Sequence, residues 1–311
     1  MEKNNSISLD KVKPPRKSIL DNEAILPYLF IAPATILIVV FLFYPVLNVF
    51  YYSLQVHNPI RPWADGFVGL DNFRTILFSD RLFRSSLVVS FRWVVAQISL
   101  QLFFGMIVAL ILNRVFWGRG LVRTIMFYPW ALSGVLTAMM WNLMYNQHMG
   151  VINGILTNLG IIDRNIAWLG NIDTVFPAVV IAQLWRGIPF FAIMLLARLQ
   201  TISTDIYEAA DVDGASSIQK FIYITLPHLK EAIILATLLR AIWEFNSVDL
   251  IMNLTGGGPA HATTTLSMYI VNTAISDMEF GYGSALATIS FFLLFGFALL
   301  YLKLSGFNKE D

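Results

Sequence analysis

Cysteine is absent from all 311 residues. That excludes disulfides, thiolate metal sites and thiol nucleophiles, and leaves the compartment open. Charge is scarce as well. Asp, Glu, Lys and Arg make up 13% of the chain, against about 25% in a soluble globular domain. The four histidines, His57, His148, His228 and His261, are dispersed without ligand spacing, which argues against a metal site. No Gly-x4-Gly-Lys-Ser/Thr occurs, and no glycine precedes a lysine. The chain therefore has no P-loop of its own for ATP. Gly256-Gly257-Gly258 has no following lysine and reads as a turn at a helix end. The net charge of +1 offers nothing to a nucleic-acid backbone. No Ser-His-Asp set or carboxylate pair stands out within the apolar segments, so no catalytic residue is assigned and the chain is not expected to be an enzyme.

What is abundant is apolar. Hydrophobic residues make up 57% of the sequence and the mean hydropathy is +0.65. They fall in blocks long enough to cross a bilayer, which takes about 20 residues per helix. The expected fold class is all-α: a polytopic membrane protein with six spans near 26–52, 85–113, 124–145, 174–198, 228–253 and 282–304. Residues 1–25 are expected to be a disordered polar leader, with Pro14-Pro15 and scattered lysines. The apolar run after it is too long for the core of a cleavable signal peptide. Residues 306–311 are expected to be a short tail. The sequence has no strong internal repeat, and a diverged duplication of three spans stays open.

Basic residues set the orientation. Lys3, Lys11, Lys13, Arg16, Lys17, Arg114, Arg119, Arg123, Arg198, Lys220, Lys230, Lys303 and Lys309 fall on one side. Arg61, Arg74, Arg81, Arg84 and Arg164 fall on the other. Thirteen against five puts both termini, and the loop 199–227, on the cytoplasmic side. The external loops carry apolar residues at helical spacing, such as Phe73, Ile76 and Leu77, or Val151, Ile155, Leu156 and Leu159. Short interfacial helices fit that pattern, as bundle caps or as a docking surface.

One polar stretch, Tyr207 to Pro227, is patterned as a unit. Glu208, Ala209 and Ala210 favour helix. Gly214 can take the left-handed conformation that stops a first short helix. Ser216 or Ser217 can cap a second helix, which Pro227 is expected to close. The order Glu208-Ala209-Ala210, Gly214, then Ile224-Thr225-Leu226-Pro227 resembles the signature loop of the permease subunits of binding-protein-dependent ABC importers. Beyond this loop, the resemblance covers nearly the whole chain after residue 25 and is to the sugar-type permeases of the maltose and glycerol-phosphate class. It also rests on Phe127-Tyr128-Pro129-Trp130, Asn146 to Asn153, Trp185-Arg186-Gly187-Ile188-Pro189, Phe245 to Leu250 and Leu254 to Pro259.

The resemblance implies a type I ABC importer permease fold in a bacterial or archaeal inner membrane. Glu208, Ala209, Ala210, Gly214, Ile224, Leu226 and Pro227 would form the coupling helix that seats in a cytoplasmic ATPase dimer. That ATPase would hold the ATP and Mg; this chain would bind no cofactor. The other implied partners are an external solute-binding protein, a second permease subunit, a sugar substrate and membrane lipid. The family's sugar-contacting positions correspond to Trp130, Gly134, Gln183, Gly187, Phe245, Asn246 and Asp249 or Leu250. Trp185 and Arg186 adjoin them. Trp130 and Gly134 stand where the maltose members have tyrosine and serine, so the substrate need not be shared.

The residues themselves leave alternatives open. Asn, Gln and Asp with Trp and Phe suit a sugar, and helix packing would use the same residues. Charges inside spans mark pathways or partners: Arg92, Arg186, Arg240, Glu244 and Asp249. Arg240 and Glu244 are spaced to neutralise each other. Arg186 can read an anionic substrate or pair with a carboxylate such as Asp249. Trp243, Asn246, Asp249 and Asn253 read as one polar stripe along the fifth span. Trp130 and Gly134 read as one turn apart on the third. An ion-coupled secondary transporter is the competing class, and it would not need the loop from Glu208 to Pro227.

Overall fold

The computed structural model describes residues 26–306. The expected leader 1–25 and the tail beyond Gly306 lie outside the described residues.

Two units are described separately. The first is a helical segment: α1 (Leu26–Ile38), a π turn at Val39–Phe43 and α2, which begins at Tyr44 and ends at Tyr52. Pro45 follows the π turn by two residues. A proline lacks an N–H and crowds the carbonyl four residues back. The wider turn makes room, so the helix continues past it.

The second unit begins at Tyr52. A hairpin of β1 (Gln55–Val56) and β2 (Gly66–Phe67) leads into the short α3 (Asp71–Phe78). Then come α4 (Arg81–Asn113), α5 (Arg119–Ala131), α6 (Gly134–Met144), α7 (Val151–Asn158) and α8 (Ile172–Leu199). A polar pair follows, α9 (Thr204–Val212) and α10 (Ser217–Lys220). The remainder is α11 (Leu226–Asn246), α12 (Asp249–Leu254), α13 (Leu266–Val271) and α14 (Phe280–Ser305). Five helices among the described residues are long and apolar enough to cross a membrane, and a sixth crossing is counted if one bent pair is taken together.

That bent pair corrects the third expected span. Residues 124–145 are not one helix. α5 and α6 meet at 100°, because Leu132 is extended and Ser133 caps a new helix through its side chain. Trp130 and Gly134 therefore flank a corner and are not stacked one turn apart.

The fifth span also departs from expectation, at both ends. Pro227 does not close the second helix of the polar stretch. Ser217 to Asn246 is one continuous helix of 30 residues. A π turn at Phe221–Thr225 precedes Pro227 and relieves it as the turn before Pro45 does. At the other end the helix stops at Asn246, Ser247 is extended, and Asp249 starts α12. The polar stripe from Trp243 to Asn253 is thereby split between two helices.

α4 and α8 form the spine of the second unit and run in the same direction. Trp93, Val175, Val179 and Leu250 share a buried cluster toward their N-terminal ends. Ala109, Leu112, Phe191, Leu195 and Leu199 share another toward their C-terminal ends, with Leu229 of α11. A third cluster joins Ile76, Phe83, Leu266 and Leu286. Asp80 bridges elements there: it caps α4 at Phe83 and accepts from the hydroxyls of Tyr269 and Tyr282 at 2.7 and 2.8 Å.

Candidate functional site

Two regions stand out, at opposite ends of α11. The first is the polar pair. Ser203 caps α9. Gly214 sits at φ +76°, in the left-handed region where only glycine is unstrained. Ser216 and Gln219 then form a reciprocal capping box at α10. Two side-chain contacts close the pair on itself: Tyr207 Oη with Thr225 Oγ1 at 2.9 Å, and a short ion pair of Lys220 with Asp211. Glu208 and Ala209 are exposed, Ala210 is half-buried, Ile224 is half-buried within the π turn, and Leu226 and Pro227 are exposed. Ile222, expected on the second helix, is exposed with it, and sequence reasoning missed the rest of this surface's apolar part: Ile206, Val212, Ile218 and Tyr223 are exposed too. Because α10 runs without interruption into α11, this surface and the far end of α11 belong to one rod.

At the far end lies a cavity of about 300 Å³. Trp130 of α5, Gln183 and Arg186 of α8, and Arg240, Trp243, Glu244, Asn246, Ser247 and Asp249 line it. Two helix breaks meet here, the corner after Ala131 and the break after Asn246. A broken helix leaves backbone groups unpaired, which membranes accommodate where the backbone is buried in protein or lines a cavity. Arg186 Nε donates to the Leu132 carbonyl at the corner, at 3.1 Å. Its Nη1 lies 3.9 Å from Asp249 Oδ2, a loose ion pair. Asp249 opens α12, where a negative charge suits the positive helix end. A Cβ on Gly134 would collide with the Asp249 carboxylate, so α6 can begin beside Asp249 only because residue 134 has no side chain.

Gln183, Arg240 and Glu244 of the cavity wall belong to a buried polar network. Glu244 is 1% exposed. Its carboxylate takes Arg240 Nη2 at 2.7 Å, Gln101 Nε2 at 3.0 Å, and Gln183 Nε2 at 2.9 and 3.1 Å to its two oxygens. Arg240 Nε donates to Gln101 Oε1 at 2.7 Å. Gln101 Nε2 also reaches Gln97 Oε1 at 2.8 Å, and Gln97 donates to the Val180 carbonyl at 3.1 Å. Trp93 Nε1 donates to the Glu244 backbone carbonyl at 3.2 Å. The guanidinium also lies over the Phe190 ring, 5.4 Å from its centroid. α4, α8 and α11 are thus pinned together in mid-span. Gln183 Oε1 is buried with no hydrogen-bond partner.

Of the residues expected on the substrate path, Trp130, Gln183, Arg186, Asn246 and Asp249 line this one cavity, and Gly134 abuts it. Three do not line it. Gly187 makes room for the Gln101 side chain. Trp185 packs edge-on to Trp141, with centroids 6.2 Å apart. Phe245 packs with Leu266 and Leu286 and borders a separate apolar cleft between α4 and α14. Arg92 lies over Phe176 at 4.8 Å, away from the cavity. Gln97 and Gln101 were missed. Their signal was two glutamines four residues apart in an otherwise apolar span, one helix face of a kind that seeks partners. Among the described residues, no group of three or more His, Asp or Glu is placed to hold a metal ion.

Residues 101–304 match the family described as the binding-protein-dependent transport system inner membrane component. The chain belongs to that family. Among its relatives is the trehalose/maltose transport system permease protein MalF of Thermococcus litoralis, 41% identical over 93% of this chain and 96% of that protein. Another is the sulfoquinovosyl glycerol transport system permease protein SmoG of Agrobacterium fabrum, 34% identical over 91% of each chain. A solved structure with the same fold is a chain of a bacterial alginate ABC transporter in complex with an alginate pentasaccharide-bound periplasmic protein. Its TM-score is 0.80 and its identity 22%, over 93% of this chain and 97% of that one. The permease is therefore an all-α, multi-pass membrane protein with the fold of an ABC importer permease, as its sequence led one to expect.

Proposed function

We propose that this permease forms the translocation path for a carbohydrate in an ATP-driven importer. The single observation that carries the reading is the cavity between the two helix breaks. It joins aromatic faces, Trp130 and Trp243, to the amides of Gln183 and Asn246. That is the pairing a sugar ring needs, with apolar faces against aromatics and hydroxyls against amides. Its volume falls at the lower edge of small-molecule sites, about 300–1,000 Å³. The names of the trehalose/maltose and sulfoquinovosyl glycerol relatives support the same class.

The cavity is electrically balanced: Arg186 faces Asp249, and Arg240 faces Glu244. This supports a neutral ligand. A second reading has one specific observation behind it: at 3.9 Å the Arg186–Asp249 pair is loose enough for an anionic sugar or glycerol phosphate to take Asp249's place.

The coupling surface from Glu208 to Pro227 would dock in a separate ATPase, on the cytoplasmic side with both termini. ATP and Mg would be held there, and this permease would bind neither. A binding protein would deliver the ligand from outside, and a second permease would complete the path. ATP-driven closure of the ATPase would push the polar pair. The unbroken helix from Ser217 to Asn246 would carry that push to the cavity wall, biasing a two-state bundle.

The test is reconstitution with the ATPase, partner permease and binding protein. ATPase stimulation is then measured across neutral oligosaccharides, uronates and glycerol phosphates. Neutral sugars are expected to stimulate. Stimulation by anionic ligands alone would overturn the neutral reading, and Arg186→Gln would then abolish it.

A further inference from the structure

The corner that joins α4 to α5 combines exposure with unmatched charge. Trp117 is 99% exposed and Val115 is 93% exposed, more than any other large apolar residue among those described. Arg114 is exposed beside them, and Arg119 and Arg123 open α5 four residues apart. None of the three arginines forms an ion pair among the described residues. The Nε atoms of Arg119 and Arg123 are buried without a hydrogen-bond partner.

This placement is unfavourable for an isolated chain. An arginine cannot shed its charge. Like charges four apart on a helix repel, and Arg119 is the first residue of α5, where the helix dipole is already positive. Gly118, at φ +81°, brings no side chain to cap that end. The flank of α5 next to it is apolar and open: Leu121 is 68% exposed, Ile125 61% and Tyr128 62%. Phe116 and Phe127 pack with Leu199, Ile202 and Leu229. The corner thus lies at the membrane-boundary end of α4 and α8, the end that carries the coupling surface.

We propose that this corner binds the headgroup of an anionic phospholipid. Arg114, Arg119 and Arg123 take the phosphate, while Trp117 and Val115 lie at the level of the glycerol and upper acyl chain. A single ligand then meets the unpaired positive groups and the bare apolar ones together. A headgroup phosphate suits arginine forks, tryptophan favours the interface, and anionic lipid attracts basic residues at the membrane boundary. The proposal does not depend on what the cavity transports.

The assembled transporter, with its ATPase and partner permease, is placed in nanodiscs of phosphatidylcholine with added phosphatidylglycerol. Brominated acyl chains are carried on one lipid or the other. Trp117→Phe supplies the Trp117 share of the fluorescence. Brominated phosphatidylglycerol is expected to quench that share, brominated phosphatidylcholine much less, and excess inorganic phosphate to leave the quenching unchanged. The triple variant Arg114→Gln, Arg119→Gln, Arg123→Gln is expected to weaken phosphatidylglycerol retention by about 100-fold, at roughly a factor of five per basic residue. Equal quenching by both lipids would overturn the proposal, as would displacement by free phosphate or unchanged retention in the triple variant. So would a Trp117 that neither lipid quenches, because a partner chain would then cover it.

Discussion

Replacing Glu244 with glutamine should be among the most damaging conservative changes in this permease, and removing Arg240 as well should rescue much of the damage. Glu244 is 1% exposed and accepts from three donor groups, Arg240, Gln101 and Gln183. A glutamine offers one acceptor oxygen and introduces two N–H donors into a site already full of donors. It also leaves the Arg240 charge, on a residue 6% exposed, without a counter-charge. Breaking one partner of a buried pair costs about 3–5 kcal/mol, and each stranded amide adds about 1–3 kcal/mol. Glu244→Gln alone is therefore expected to cost about 4 kcal/mol or more. In Arg240→Met, Glu244→Gln the charge is gone, Gln101 and Gln183 keep an amide partner, and Met fills the guanidinium's stem volume against Phe190. The double variant should recover at least about 2 kcal/mol of the loss, as a coupling energy in the mutant cycle. Equilibrium unfolding in mild detergent, by the accessibility of an introduced cysteine or by tryptophan fluorescence, measures all four species. A single variant within about 1 kcal/mol of the parent, or a double variant less stable than the single, would refute the account of the network.

Other changes test other parts. Gly214→Val forces a β-branched residue into a left-handed backbone at φ +76°, at a cost of about 1–2 kcal/mol or more; the transporter should assemble and hydrolyse ATP with transport uncoupled, and unchanged uptake would argue against a coupling role. Gly134→Ala drives a methyl group into the Asp249 carboxylate; uptake is expected to fall at least about tenfold, since displacements near 1 Å at a site can cost 100-fold, with membrane insertion unchanged. Asp65 on the hairpin accepts from the Asn58 backbone N–H at 2.9 Å and pairs with His57 at 2.7 Å. The backbone bond above all holds its carboxyl below the usual carboxylate range; desolvation opposes it, and the hydrogen bond and charge of His57 add to the lowering. Because the folded value is depressed, the stabilisation is complete above the unfolded pKa and is lost as pH falls through the folded one. Hydrogen-exchange protection across residues 55–67, taken relative to the intrinsic exchange rate at each pH, should therefore fall in acid below about pH 4, and Asp65→Asn should flatten that dependence.

How much the sequence disclosed follows from the range of the interactions involved. The cap at Ser216 or Ser217, the glycine turn at Gly214 and the Arg240–Glu244 pair are decided within a few residues, so spacing revealed them, while the choice of Ser216 and its capping box with Gln219 came from the structure. Pro227 misled because the relief comes from a π turn, which no residue type announces. The corner after Ala131 misled because hydropathy reads through it: Leu132, Gly134, Val135 and Leu136 suit a continuous span. The break after Asn246 was hidden for a different reason: Trp243, Asn246, Asp249 and Asn253 have the spacing of one helix face, and nothing local shows that the face is interrupted. Five of the nine residues expected on the path do meet at the cavity, and Gly134 abuts it. Trp185, Gly187 and Phe245 do not line it, because helix faces rotate by about 100° per residue and neighbours in sequence look different ways.

Composition and pattern alone determined that this chain crosses a membrane several times as helices, because a bilayer leaves the backbone few other ways to pair its polar groups. They also determined that Glu208 to Pro227 is a built surface and not slack. The tertiary structure decided what that surface is attached to. It showed one unbroken helix from Ser217 to Asn246, ending at a cavity framed by two breaks. It also showed that Glu244 answers to Gln101 and Gln183, which lie 143 and 61 residues away in the chain. Contacts over such separations depend on how helices pack, and packing is a property of the whole fold that no local window contains.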